Sequence, residues 1–246
     1  MHFNENEYCI ELSAQELCYL VSRPSDLDSH PPANMNLQSK SFDAFLSQLP
    51  DMPIYTPVTK KSLQIAMSRA LSADRSVAVR YPNGTENPRV LQEFYGDAIP
   101  DDVSIRSNFA QQGLSADALD GVIVTHGRIV SEALQATDLL AGQGIRVGIL
   151  LLEQIAPYAQ IAQQLADLLP QKALHVLFLE EEIKRGGMGM LLSEALQAYP
   201  VMDNKTVLVM GLEDPFCVPA KGQNCFEAAG LDGASIAERL KRAIVQ

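Results

Sequence analysis

The segment from residue 180 to residue 189 joins an acidic cluster to a glycine-rich loop, and both features could support chemistry. Glu180-Glu181-Glu182 ends an apolar stretch, and Gly186-Gly187-Met188-Gly189 runs into a predicted helix. A glycine-rich loop at a helix start can bind phosphate through its backbone N–H groups. This loop lacks the lysine and hydroxyl of a P-loop, and the carboxylates disfavour phosphate unless Lys184 or Arg185 compensates.

The same acidic residues suggest a second chemistry. Two carboxylates at the end of a strand, such as Glu180 and Glu181, can act as a general acid and base. A charge cluster that is solvated or lies in an interface is the commoner arrangement. The sequence leaves both interpretations open.

Another candidate site is Thr125-His126-Gly127-Arg128, which joins a predicted strand directly to a predicted helix. Gly127 permits a tight turn, and the helix N-terminus offers free N–H groups to an anion. His126 or Arg128 could add positive charge. The alternative is that Gly127 only makes the turn. Residues 211–216 form a third polar loop, which is predicted only to terminate a strand.

No serine or cysteine has the surroundings of a catalytic triad, and no residues have the spacing of a metal-ligand set. The four histidines are scattered, and the four cysteines form two distant pairs without zinc-site spacing. We therefore expect reduced thiols and no metal. The cysteines are Cys9, Cys18, Cys217 and Cys225.

An alternation of apolar strands and amphipathic helices positions these loops. Such an alternation indicates an α/β fold, a mostly parallel sheet flanked by helices. Thr59 is a good N-cap for the first helix, and Ser235 is predicted to cap the last one. Strands are predicted at 52–55, 76–80, 121–125, 147–152, 174–179 and 206–210, and helices at 59–71, 129–142, 158–169, 189–198 and from 235 onward.

Two stretches stand outside this alternation. Residues 1–40 form an unrecognised N-terminal segment and linker, in which residues 11–21 have apolar positions at helical spacing. Ser13 and Glu16 have the spacing of a capping box, so a short amphipathic helix is predicted there. Residues 85–120 contain turn-forming residues without a sustained period, and we expect a connector.

The charge balance excludes several partners. The formal net charge is -11, which repels phosphate backbones and anionic lipid, so we expect neither nucleic acid nor a membrane surface as partner. No apolar run reaches the roughly 18 residues of a membrane span. A cytoplasmic location is the expectation.

Five short pieces of sequence occur in a fixed order. They are Arg80-Tyr81-Pro82, the stretch from Gly121 to Gly127, Glu180-Glu181 with Gly186 to Gly189, the stretch from Gly211 to Phe216, and Gly230-Leu231-Asp232. In this order and spacing they resemble 1-deoxy-D-xylulose-5-phosphate synthase, of the transketolase family. The resemblance implies a remnant of the pyrimidine-binding domain at 41–84, a connector at 85–120 and a transketolase C-terminal-like domain at 121–246. It also implies that Arg80 helps to hold a substrate phosphate.

The resemblance also implies what this chain lacks. The family's thiamine diphosphate cradle and the glutamate that activates the cofactor belong to modules with no counterpart in these residues. The family's Arg-Phe-x-Lys-Pro-x-Asp segment corresponds to residues 153–159, where only Pro157 is kept. Because the cofactor performs the chemistry of such enzymes, we expect no thiamine diphosphate or magnesium bound by this chain alone.

Three functional hypotheses remain. The first is a non-catalytic relative of the synthase's C-terminal part that serves assembly, regulation or small-anion binding, near Arg80 or after Gly127. The alternative is a subunit of a split thiamine-diphosphate-dependent, transketolase-type transferase whose second chain carries the cofactor site. The third is an independent enzyme with new chemistry. A homo-oligomer is expected in each case, since a truncated pyrimidine domain leaves apolar surface to be covered.

Overall fold

A computed structural model describes residues 7–12, 17–22, 46–47, 49, 51–82, 86–96, 102–213 and 225–245. The strands are β1 (Glu7–Leu12), β2 (Leu17–Ser22), β3 (Ile54–Tyr55), β4 (Val77–Pro82), β5 (Ile105–Ser107), β6 (Gly121–Thr125), β7 (Val147–Leu152), β8 (Gln154–Ala156), β9 (His175–Ile183) and β10 (Thr206–Leu212). The helices are α1 (Lys60–Ser72), α2 (Pro88–Tyr95), α3 (Val130–Ala141), α4 (Tyr158–Leu168), α5 (Met188–Leu196), α6 (Cys225–Ala228) and α7 (Gly233–Val245). Among these helices, none has the length and apolar character needed to cross a bilayer.

The larger sheet has the strand order β10-β9-β6-β7-β5. Its first four strands are mutually parallel, and β5 pairs antiparallel with β7 at one edge. Strands β6 and β7 are buried along their whole length, as expected of central strands covered on both faces. The predicted α/β fold with a mostly parallel sheet is confirmed.

Helices cover both faces of this sheet because alternate residues of a strand point to opposite sides. Leu150 and Leu152 of β7 join the core that includes α4 and α5. Ile149 and Leu151 join the core that includes α3 and α7. The sheet is therefore enclosed on both faces. Its parallel strands all end at the same edge.

The smaller sheet has the order β1-β2-β4-β3-β8. Strands β3 and β4 are parallel and are connected through α1, whose N-terminus has the predicted Thr59 cap in a capping box with Ser62. Strand β8 comes from the C-terminal part of the chain and pairs antiparallel with β3. The two sheets are thus joined by backbone hydrogen bonds as well as by side chains.

The predicted helix at 11–21 is wrong. Residues Glu7–Leu12 and Leu17–Ser22 are antiparallel strands, and β2 pairs over its whole length with β4. The open edge of β4 offers a ladder of backbone hydrogen bonds, and such tertiary pairing outweighs a weak helical pattern. The capping-box residues Ser13 and Glu16 lie outside the described residues.

Two further predictions concern the stretch 85–120 and the cap of α7. The predicted connector at 85–120 contains α2, capped by Asn87, and the edge strand β5. The cap of α7 is the Asp232 carboxylate, which accepts hydrogen bonds from the Ser235 N–H at 3.4 Å and the Ser235 hydroxyl at 2.6 Å. Ser235 is not the N-cap because the helix begins two residues earlier, at Gly233.

Candidate functional site

Arg80 lies near the end of β4, at the junction between the two sheets. Alternation along the strand directs Val79 toward α1, whereas Ala78 packs into the core shared with the C-terminal sheet. Arg80 lies on the same face as Ala78. The arginine side chain is only 2% exposed.

Three side chains of the C-terminal sheet surround this guanidinium. Nη2 donates to Oε1 of Glu181 at 2.7 Å, and Nη1 lies 3.1 Å from Oε1 of Glu182. Nη1 also lies 3.2 Å from Nδ1 of His126. Because a guanidinium has only donors, Nδ1 of His126 accepts this bond. We call these four residues the Arg80 cluster.

Gly127 allows the side chains of the Arg80 cluster to approach one another. Its φ is +70°, and a Cβ atom at this position would lie 2.8 Å from Oε1 of Glu181. The glycine is therefore required both by the turn and by the approach of the carboxylate. Arg128 points elsewhere, and its guanidinium carbon lies 5.6 Å from the centre of the Phe226 ring.

The glycine-rich loop is occupied by the chain's own carboxylate. Oε2 of Glu180 accepts the Met188 N–H at 2.9 Å, and Oε1 accepts the Gly189 N–H at 3.1 Å. These N–H groups are the unpaired donors at the start of α5, where the helix dipole favours a negative charge. Added Cβ atoms at Gly187 or Gly189 would collide with surrounding atoms, including the Glu180 carboxylate. Gly186 has φ +74° and makes the turn.

The three consecutive glutamates therefore have different roles. Glu180 binds the N-terminus of α5, whereas Glu181 and Glu182 bind Arg80. The structure brings together Arg80, His126, Gly127 and Glu181 from the predicted sites, and it places Arg128 apart from them. The charged atoms of Arg80, Glu181 and Glu182 face one another in the protein interior. This arrangement is that of an ion cluster with a structural role.

A second buried cluster was not predicted. The Glu153 carboxylate is fully buried after β7, where Oε1 accepts the Tyr95 hydroxyl and Oε2 lies 3.0 Å from Nε of Arg106. Nη2 of Arg106 also donates to Oδ1 of Asp102 at 2.8 Å. We call these four residues the Glu153 cluster. The sequence signal for it was one carboxylate directly after an unbroken apolar strand.

The Glu153 cluster alters the protonation of Tyr95. Burial raises the pKa of the Tyr95 hydroxyl far above its ordinary value, and the negative charge of Glu153 adds to this effect. The hydroxyl therefore stays protonated and donates its hydrogen bond to Glu153. The backbone of Glu153 also accepts the Thr56 N–H at 2.8 Å, so this cluster too lies where the two sheets meet.

The described part of the chain contains no group of three or more His, Cys, Asp or Glu side chains arranged to hold a metal ion. Cys225 lies in α6, and it is half-buried. Residues 214–216 of the third predicted loop and Cys9, Cys18 and Cys217 have no described side chains.

Comparison with known proteins gives a family match for the part of the chain that contains most of the larger sheet. Residues 115–236 match the family described as "Transketolase, C-terminal domain". The 1-deoxy-D-xylulose-5-phosphate synthase of Chlorobium luteolum is 29% identical over 204 residues, which cover 82% of this chain and 30% of the synthase. The synthase of Syntrophotalea carbinolica is 30% identical over 198 residues, or 80% of this chain and 29% of the synthase.

Solved structures of transketolases share the fold. A structure described as "Split gene transketolase, inactive beta4 tetramer" has a TM-score of 0.62 at 20% identity, with 84% of this chain and 61% of that chain covered. A transketolase mutant from Pichia stipitis has a TM-score of 0.58 at 16% identity, with 83% and 27% covered.

Residues 115–236 match the transketolase C-terminal domain family, and solved transketolase structures share the fold. The resemblance of the chain to the C-terminal part of 1-deoxy-D-xylulose-5-phosphate synthase is confirmed. The chain spans about 30% of the length of these curated relatives.

Proposed function

We propose that this chain is a non-catalytic relative of the synthase's C-terminal part, and that it serves assembly or regulation. The observation that supports the proposal is the enclosure of Arg80, whose guanidinium is buried and ion-paired with Glu181 and Glu182. An arginine that holds a substrate phosphate must present its N–H groups to that phosphate. Phosphate binding at Arg80, which the resemblance implies, would require both carboxylates to leave.

The second anion position supports the same proposal. The N–H groups at the start of α5 are a second place where a phosphate could bind, and the Glu180 carboxylate already accepts two of them. A phosphate would have to displace a buried carboxylate whose hydrogen bonds are charge-assisted. Both positions are thus filled by negative charges of the chain itself.

The domain assignment is part of the proposal. The elements β3, α1 and β4 form the strand–helix–strand unit expected of a pyrimidine-domain remnant at 41–84. The hairpin β1–β2 covers the edge of β4 in this unit. We propose that β1 and β2 occupy the place beside β4 that a neighbouring strand would take in a complete pyrimidine domain, and that this pairing stabilises the unit.

Calorimetry tests the proposal directly. We expect the full chain to show no binding of inorganic phosphate, or of thiamine diphosphate with magnesium, at millimolar ligand. The variant Glu181→Gln/Glu182→Gln should gain weak phosphate binding because it frees the guanidinium. A matched triple variant that adds Arg80→Met should lose that binding again. Micromolar phosphate affinity in the unmodified chain, abolished by Arg80→Met in a folded variant, would overturn the proposal.

The split-enzyme alternative is supported by one observation, the likeness to a transketolase described as a split-gene protein. In this case a second chain would carry the thiamine-binding modules and bring the cofactor and magnesium. The test is co-purification of this chain with such a chain, followed by assay of pyruvate with glyceraldehyde 3-phosphate. Activity that appears only in the mixture would favour the alternative over the non-catalytic proposal.

A further inference from the structure

The strand β10 forms an edge of the C-terminal sheet. Its only partner in the described part of the chain is β9, and its residues from Thr206 to Met210 are exposed or half-buried. Val207 is 37% exposed, and Leu174, which precedes β9 at the same end of the sheet, is 51% exposed. An apolar edge strand without a charged or proline residue is a template for pairing with another chain.

Among the described residues, the backbone of β10 has unused hydrogen-bonding groups at alternate positions. The Thr206 N–H donates to the Leu174 carbonyl oxygen at 2.7 Å, so Thr206 directs its backbone groups toward β9. In a parallel ladder, Leu208 and Met210 then do the same. The N–H and C=O groups of Val207 and Val209 consequently point away from the sheet.

The charges beside this edge differ from those of the whole chain. The net charge of the chain is -11. A cleft of about 580 Å³ next to β10 is lined by the cations Lys184, Arg239 and Arg242 and by the carboxylates Glu213 and Glu238. Two ion pairs, Lys184–Glu213 at 2.7 Å and Arg242–Glu238 at 2.8 Å, leave Arg239 as a local excess of positive charge. A second copy of this acidic chain is therefore repelled less at this edge than its net charge alone would suggest.

We propose that two copies of this chain associate through β10, by antiparallel pairing of Thr206–Met210 about a two-fold axis at Leu208. In this register, Val207 of one copy faces Val209 of the other, and each facing pair exchanges two N–H···O=C bonds. The four free backbone groups at Val207 and Val209 are all used. The pairing is isologous, since the same five residues serve both copies.

The first test measures the oligomeric state of the full chain by analytical ultracentrifugation at micromolar concentration. We expect a dimer, or a larger assembly built from dimers. Val207→Pro removes one outward N–H and no bond to β9, and Val207→Lys adds a charge at the edge; each should weaken dimerisation at least tenfold. The control Val207→Thr keeps the N–H and strand propensity and should dimerise like the parent. A monomeric parent chain, or a dimer unaffected by Val207→Pro and Val207→Lys, would refute the proposal.

A crosslink tests the register. In a background with the four cysteines replaced by serine, Leu208→Cys should form a disulfide-linked dimer on oxidation. Residues that face each other at a non-hydrogen-bonded position have Cα atoms about 4.5 Å apart, within the range of a disulfide. Thr206→Cys is the matched control, because its two copies would lie about 14 Å apart at 3.4 Å per residue. Equal crosslinking of both variants, or none in Leu208→Cys, would exclude this register.

Discussion

The Arg80 cluster and the Glu153 cluster both pair an arginine with glutamate where the two sheets meet, but they differ in their access to solvent. The side chains of Arg80 and Glu182 are each 2% exposed. In the Glu153 cluster, Arg106 continues outward to Asp102, whose side chain is 49% exposed. One cluster is closed, and the other reaches the surface.

This difference should determine how each cluster tolerates the loss of a member. A buried charge that loses its partner has no water to compensate it, whereas a charge near the surface does.

The largest effect is expected for Arg80→Met. It leaves Glu181 and Glu182 buried without their cation, which should lower the free energy of unfolding by about 3–5 kcal/mol. Urea denaturation followed by circular dichroism would measure this. Adding Glu181→Gln and Glu182→Gln to the variant should restore part of the loss. A cost below 1 kcal/mol for Arg80→Met would show that this cluster is not closed.

Glu153→Gln should have a smaller effect. It removes the charge that Arg106 and the Tyr95 hydroxyl contact, but Arg106 keeps its bond to Asp102. We expect a loss of about 2 kcal/mol, typical of hydrogen bonds to a charged group. The same denaturation experiment would measure it. A loss equal to that of Arg80→Met would remove the distinction between the two clusters.

Gly187→Ala tests the packing around the glycine-rich loop. The new Cβ would collide with the Glu180 carboxylate and the Ile183 carbonyl oxygen, so a loss of about 1–2 kcal/mol is expected. The control is Gly142→Ala at the end of α3, where φ is -60° and the nearest atom would lie 3.6 Å away. That control should be neutral or stabilising. Equal effects at the two glycines would contradict the role of Glu180.

The smallest effect is expected for Asp102→Asn, and it depends on pH. The hydrogen bond from Arg106 lowers the pKa of the Asp102 carboxyl below its ordinary value of 3.8. The carboxylate therefore stabilises the folded state above about pH 4, and the contribution is lost as the pH falls through the lowered pKa. Thermal unfolding should show a loss below about 1 kcal/mol at pH 7, since the pair is exposed. No pH dependence of the difference would argue against the ion pair.

Much of the fold was predictable from the sequence because buried parallel strands consist of short apolar runs. Gly121–Thr125 and Val147–Leu152 have the predicted bounds. The hairpin of β1 and β2 was not predictable, because its stability depends on an edge strand about 60 residues away along the chain. Strands β5 and β8 have three residues each and were missed for the same reason.

By itself, the sequence determined the α/β architecture, the likeness to the synthase's C-terminal part, and the loops where charges gather. It also indicated Arg80, His126, Gly127 and residues within 180–189 as candidate site residues. Only the tertiary structure decided the partners of those charges: Glu180 binds a helix N-terminus, and Glu181 and Glu182 enclose Arg80. A sequence pattern identifies where a charged side chain stands along the chain. Whether that charge meets a ligand, water or another side chain depends on which segments the fold brings within about 3 Å of it.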